Sequence, residues 1–470
     1  MNRLSFRASR RSTLMLALSI AVAALLANLK LILNPGFFNH DEWQRYDFIT
    51  ARGALTYVSK YLVIKVGATF ATPVRPIGFI QQGLAALWMK SAPWVPHLVS
   101  ALLHASAAGA VFVTLLIAGL KRRVAVLAAL IFCISPLGVL ANGWTAASFD
   151  QWYVLFTLGS MSCTFLIMRH GLRASRALAL LCFSAAAMLS KETAMMLPAA
   201  VAGCGLLANL FREEKIQWGR ISATTAIAAL PVGIYLGIRF PALQRSLAST
   251  AAVAQYSPSP HNLLPNALGY LEFPFIPSLA DMVSIALLSP WVRHAALLVH
   301  ALLLLCLAWT GGWKAVIAYL FAYAIFLVPI LLIPNAGSHY LYASSVALST
   351  ALAWLLGTRF ERMRRALPFF AAAFIGVTIV HAHTLQTFIY TNGVCQMRFL
   401  TSLDKVMANR DTAQVGTTTI EWRAGTLEYV ASSAIFGRDQ YRDIRFQPAP
   451  QTASLDAGAL LLSPDCTVTP

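Results

Sequence analysis

Long apolar runs alternate with short polar connections along most of this chain, and each run is close to the length that crosses a bilayer. Covering the hydrocarbon takes about 20 apolar residues in a helix. Such runs lie near 14–33, 97–119, 124–141, 151–168, 177–190, 193–211, 221–240, 293–310, 315–333, 340–357 and 366–386. The pattern predicts about eleven transmembrane helices. The segment 262–290 is apolar but broken by Pro265, Pro274, Pro277 and Pro290, which leaves it either re-entrant or a further pair of spans. About 60 residues separate the first run from the second. Within them, "GALTYVSKYLVIKV" (53–66) and "RPIGFIQQGLAALWMK" (75–90) mix apolar residues with basic or aromatic ends, as helices lying on a membrane surface do. Beyond residue 390 the pattern changes. Fifteen of the last 80 residues are charged, and "QVGTTTIEW" and "GALLLSP" alternate like strands. The expected fold is an all-α polytopic membrane bundle over 1–390, with a first outer loop at 34–96, followed by a small soluble α/β domain at 391–470. No tetratricopeptide-type internal repeat is found.

Composition agrees with the pattern. The 470 residues are 58% hydrophobic and 11% charged, with mean hydropathy +0.65, whereas a soluble domain carries about 25% charged residues. Basic residues stay on the cytoplasmic side of a membrane. Here they cluster at Arg3/Arg7/Arg10/Arg11, at 121–123, at Arg169/Arg173/Arg176, at Arg212/Lys215/Arg220, at Lys314 and at 359–365. These fall on every second connection. The alternation predicts a cytoplasmic N-terminus. The first loop, the 142–150 turn, the 241–292 segment and the C-terminal domain then face outward, into the periplasm if this is a bacterial inner membrane. The net charge of +18 is thus mainly a topology signal. Its scatter over loops argues against a nucleic-acid partner; membrane lipids are the expected surroundings. A basic start and an apolar core also fit a cleaved signal peptide, but the core is long and lacks a small-x-small site before a soluble domain. Five of the seven cysteines lie in predicted spans, while Cys395 and Cys466 lie in the outer tail, where a disulfide would persist in an oxidising compartment.

The candidate chemistry starts at "NPGFFNHDEWQRYD" (34–47). Asp41, Glu42 and Asp47 fall within seven positions, while the first 390 residues hold only seven other acids. A carboxylate at the membrane face is costly unless it meets water or a partner. Asp41 and Glu42 could simply cap an interfacial helix. They could also act as a base on an acceptor hydroxyl. Arg75, Asp150, Lys191–Glu192, and His339 with Tyr340 all lie on outward connections. Acids at one point and cations at several suit a phosphate-bearing lipid substrate. Lys191–Glu192 could instead be a structural pair, and Asp150 a helix cap. His97 and His104 are seven apart and share a helix face, where they could line a cavity or simply pack.

"HDEW", "VRPIGFI", "VPHLVSALLHA", "SFDQWYVLF", "LSKETAMMLP" and "HYLYASSVAL" occur in that order. The set resembles GT-C integral-membrane glycosyltransferases, most closely the protein O-mannosyltransferase branch that includes the transmembrane-and-TPR O-mannosyltransferases. The likeness covers about residues 35–360. It implies sugar transfer from a polyprenyl-phosphate sugar to a protein, lipid or glycan acceptor on the outer face, with inversion (an EC 2.4 activity). It implies Asp41 as general base and Glu42 as its companion, with Arg75, Lys191, His339 and Tyr340 at the donor phosphate. Asp150, Glu192, His97 and His104 would stand behind them. Three features depart from the family: His339 replaces the usual Arg, Asp150 lacks a preceding basic residue, and no TPR array follows. No cofactor is demanded. No ligand cluster argues for a divalent metal, although Asp41, Glu42 and Asp150 are the carboxylates that could converge on one. A lipid-linked-sugar transporter or flippase would also use charges in the membrane, but it predicts inverted repeats and midplane sites. A non-catalytic scaffold would need no acid–cation constellation.

Overall fold

The computed structural model describes residues 3–62, 75–88, 92, 94–213, 215–248, 258–276, 290–334, 337–358, 367–408, 418–423, 427–448 and 459–469. The basic run 359–365, part of the first loop (63–74) and the proline-broken segment beyond 276 lie outside these residues. The apolar runs form helices, among them Val95–Ala118, Ser148–His170, Ala174–Met188, Leu197–Arg212 and Trp218–Ala248. The run 315–333 is helical only to Ala324. Pro329 and Pro334, which lack the N–H a helix needs, follow that end. Among the described helices, six are long and apolar enough to cross a membrane. A seventh results if Arg122–Cys133 and Pro136–Gly143, bent by 53° at Ser135–Pro136, make one broken span. Arg11–Ala27 and Ala174–Met188 are shorter apolar helices. The protein is an integral membrane protein of helical architecture with a small C-terminal sheet.

The connections gather at two opposite ends of the bundle. At one end, Arg220 donates to the Met168 carbonyl and Lys314 to the Leu210 carbonyl. Gly119, left-handed at φ 102°, closes the helix Val95–Ala118 close to the Arg169 guanidinium. These are the basic connections. At the other end the acid-bearing connections meet, as described below. Trp291 and Trp309, both strongly exposed, lie 18 residues apart on one helix. That separation is about 27 Å, close to the hydrocarbon thickness, with aromatic residues where interfacial belts form.

Three short helices make up the described part of the first loop: His40–Arg52, Ala54–Leu62 and Pro76–Ala86. The chain reaches them past Gly36. A Cβ there would lie 2.5 Å from the Gly393 carbonyl oxygen, so two glycines let the backbones cross in contact.

The last helix, Leu367–Ala408, runs 42 residues, about 63 Å and twice the hydrocarbon thickness. Hydropathy fades at 386 because the C-terminal half is amphipathic. Ile389, Cys395, Phe399 and Leu403 are buried on one face, at helical spacing. That face receives a four-stranded sheet in the order β2–β1–β3–β4, from β1 (Thr418–Trp422), β2 (Ile444–Pro448), β3 (Leu460–Leu462) and β4 (Val468–Thr469). β1 is parallel to β2 and β3, and β4 is antiparallel to β3. Phe399, Leu403, Ile420, Leu460 and Val468 share one apolar core with Phe37 and Trp43 of the first loop. Cys395 and Cys466 are disulfide-bonded, with Cα atoms 5.2 Å apart. The boundary at 390/391 thus falls inside a continuous helix, and the tail is seated directly on the acid-bearing loop.

Candidate active site

Asn39 caps the helix His40–Arg52, its side chain accepting from His40 N at 2.7 Å. This fixes two neighbouring acids in different roles. Asp41 sits half-exposed in the first turn with its Oδ1 3.2 Å from His40 Nε2. Glu42 points inward. Its Oε2 accepts from Phe38 N (2.8 Å) and Asn39 N (3.1 Å), closing a capping box. Its Oε1 accepts from Thr145 N at 2.7 Å and from the Thr145 hydroxyl. Four donors converge on one carboxylate, yet burial pushes its pKa up to about 7. Glu42 is therefore the peg that joins the first loop to the 144–148 turn. Both of its oxygens receive N–H donors, and an amide has only one acceptor oxygen. Glu42→Gln is expected to leave two buried donors facing an NH₂ group, each costing about 1–3 kcal/mol. The check is a lower melting temperature in detergent, with turnover reduced less than by loss of Asp41.

The second group is a pair of ion pairs. Lys191 precedes the 3-10 turn Glu192–Met196 in extended conformation, so the two neighbouring side chains diverge. The Lys191 ammonium bonds Asp150, in the first turn of Ser148–His170, and lies 4.4 Å from the centroid of the Tyr340 ring. Glu192 instead takes Arg75, with Nε at 2.8 Å and Nη2 at 2.7 Å from Oε2. Tyr235 donates to the other Glu192 oxygen at 3.3 Å, and buried Arg239 lies one helical turn further on. Lys191 and Asp150 are almost wholly enclosed, whereas the Arg75 side chain keeps 26% of its exposure. Arg75 also lies over the Phe149 ring. It is the more accessible of the two cations. Glu192 occupies two of its donors, and a guanidinium carries five.

A chain of contacts connects the two groups. Trp144, beside Thr145, packs edge-on to His339 at 5.2 Å, and His339 lies 4.1 Å from Tyr340. The structure therefore brings Arg75, Glu192, Lys191, Asp150, Tyr340 and His339 to one place, with Glu42 tied to its rim. Asp41 lies on the same helix as Glu42, but its side chain meets His40. The two remaining candidate histidines are buried and bonded to the backbone, His97 with its Nδ1 left without a partner among the described residues. His97 Nε2 meets the Gly36 carbonyl at 2.8 Å. His104 Nε2 meets the Cys133 carbonyl at 3.3 Å, and its Nδ1 meets the Tyr342 hydroxyl at 2.9 Å. A carbonyl only accepts, so Nε2 of His104 carries the proton and Nδ1 accepts from Tyr342. Among the described residues no group of three His, Cys, Asp or Glu side chains could hold a metal.

Several site residues carry no charge and had no sequence signal: Trp144, Thr145, Tyr235 and Gln396. Gln396 is fully buried. It accepts from Phe37 N and Trp43 Nε1, both at 3.0 Å, and donates to Ser433 at 2.9 Å. Together with Arg438–Asp47 at 2.6 Å, it holds the C-terminal sheet region against the acid-bearing helix.

No family model matches the sequence, and no curated protein matches it. Solved structures do. One is the Archaeoglobus fulgidus oligosaccharyltransferase in its apo form (13% identity, TM-score 0.44). Another is the oligosaccharyltransferase AglB of the same organism with an inhibitory peptide and a dolichol-phosphate (13%, 0.49). Each match covers 86% of this chain and 62% of the other, so this chain spans under two thirds of their length. ArnT from Cupriavidus metallidurans, bound to undecaprenyl phosphate, matches with 13% identity and TM-score 0.44 over 89% of this chain and 84% of ArnT.

Proposed function

We propose that this protein transfers a sugar from a polyprenyl-phosphate donor to an acceptor at the outer face of a membrane, in the manner of the O-mannosyltransferase-like GT-C branch. One observation carries the proposal. The sparse carboxylates and cations of a strongly apolar chain are gathered at the bundle end opposite the basic connections. Positive residues mark the cytoplasmic side, so the site faces outward in a topology of about eleven crossings. Asp41 takes the proton of the acceptor hydroxyl as that oxygen bonds to the anomeric carbon. The bond from that carbon to the phosphate oxygen breaks, and the lipid phosphate leaves as an anion. Attack opposite the leaving group inverts the anomeric centre. A phosphate already stable as an anion needs no strong general acid. It needs cations, and Arg75 supplies the accessible one, suited to bidentate contact. Lys191, held by Asp150, contributes its charge from behind Tyr340. The domain 391–470, docked on the acid-bearing helix, stands where it would select the acceptor.

Arg75→Ala is expected to weaken donor binding by about one to two decades, the worth of a charge-assisted hydrogen bond, and to leave acceptor KM nearly unchanged. Titration of a polyprenyl phosphate onto the purified variant measures it. Undiminished affinity would send the phosphate elsewhere, with Arg239 and Arg293 the next cations in line.

A further inference from the structure

Tyr270 lies on the helix Leu263–Glu272, in the outer segment whose role the sequence left open. Its side chain is buried with 1% exposure. Its hydroxyl has no hydrogen-bond partner among the described residues. A buried hydroxyl left unbonded is costly and uncommon in native structures. Tyr270 belongs to the buried cluster, with Tyr323 and Leu341, against which Tyr340 packs. Two more buried polar atoms around Tyr340 also lack partners among the described residues: Nε1 of Trp144 and Nδ1 of His339. His339 contacts both Trp144 and Tyr340, and Tyr340 covers Lys191. Three buried polar groups without a partner among the described residues therefore lie in the packing around His339 and Tyr340, near the Arg75–Glu192 and Lys191–Asp150 ion pairs.

The helix is held there independently of that hydroxyl. The Tyr270 carbonyl accepts from Tyr323 at 2.6 Å. Nδ1 of His300 meets the Leu271 carbonyl at 2.8 Å, and Glu272 pairs with Arg293 at 2.7 Å. The backbone is pinned on both sides, while the side-chain oxygen is left unspent.

We propose that the Tyr270 hydroxyl, with Trp144 Nε1, forms the neutral half of the phosphate-binding cradle and donates to the oxygens of the lipid phosphate. The inference rests on the proposed function and adds a binding residue to it. Arg75 and Lys191 are already compensated by Glu192 and Asp150. An arriving phosphodiester then depends on neutral O–H and N–H donors as well as on cations. Tyr270 also gives the proline-broken segment a task, since it delivers one donor from outside the main bundle.

The test uses the full-length protein in detergent and undecaprenyl phosphate without a sugar, so that only lipid and phosphate are probed. Tyr270→Phe removes one oxygen atom. It is expected to weaken binding by about tenfold, as a lost hydrogen bond to a charged group does. It is also expected to raise the melting temperature of the lipid-free protein by a degree or more, because an unbonded buried hydroxyl is gone. Trp144→Phe is expected to weaken binding in the same direction. Unchanged affinity in Tyr270→Phe, with Arg75→Ala weakened, overturns this inference and leaves the proposed function standing. Unchanged affinity in both overturns the function and the inference with it. A lower melting temperature in Tyr270→Phe shows the hydroxyl to be a structural bond, and that too overturns the inference.

Discussion

Asp41→Asn is expected to lower sugar transfer by about 10²–10⁴, the range lost when a positioned general base is removed. Expression, melting temperature and lipid-phosphate affinity should stay near the parent values. The structure gives the reason for that separation. Asp41 is half-exposed and pairs only with the equally half-exposed His40 among the described residues, whereas Glu42 beside it carries the structural bonds. Asparagine keeps the size of the side chain and removes its basicity. Comparing turnover with a binding titration on the same preparation checks the result. Undiminished turnover would move the base to another carboxylate, and Glu192, still 25% exposed on its side chain, would be next.

The second large effect concerns stability. Lys191→Ala leaves Asp150 buried at 1% exposure without its counter-charge. Removing one partner of a buried ion pair costs about 3–5 kcal/mol, so a marked fall in melting temperature is expected. Replacing both partners by apolar residues of similar volume, Lys191→Met with Asp150→Leu, should recover much of that loss. Lost activity in Lys191→Ala therefore reports folding as well as phosphate binding, and Arg75 is the cleaner probe of the donor. A single substitution at Lys191 that left melting unchanged would mean that the pair is not formed.

Much of this architecture is written in the hydropathy pattern, because a bilayer forces backbone groups into helices wherever the chain is apolar for long enough. The loop helices near 54 and 76 and the strands at 418 and 460 also follow from local pattern. Partnerships do not. Lys191 and Glu192 are adjacent in sequence and look like a pair, yet each bonds a residue far away, since an extended residue turns its neighbour's side chain elsewhere. Tyr235, Tyr270 and Trp144 look like ordinary members of apolar runs. Their polar atoms matter only once three distant connections meet. The helix to Ala408 was hidden for another reason: its C-terminal half is buried on one face by the sheet, so its signal is a period of 3.6 rather than a run. The Asp41–Glu42 pair was legible as a site, but its division of labour depends on Thr145, which lies more than a hundred residues further along the chain.

The most direct measurement reconstitutes the purified protein in vesicles with radiolabelled polyprenyl-phosphate hexoses and a membrane extract as the source of acceptors. The account predicts that label leaves the lipid for an acceptor or for water, that lipid phosphate accumulates, and that Asp41→Asn abolishes both. Label that changes leaflet while still attached to its lipid would contradict the account in favour of a transporter. Label that neither moves nor leaves with any hexose would contradict it in favour of a scaffold.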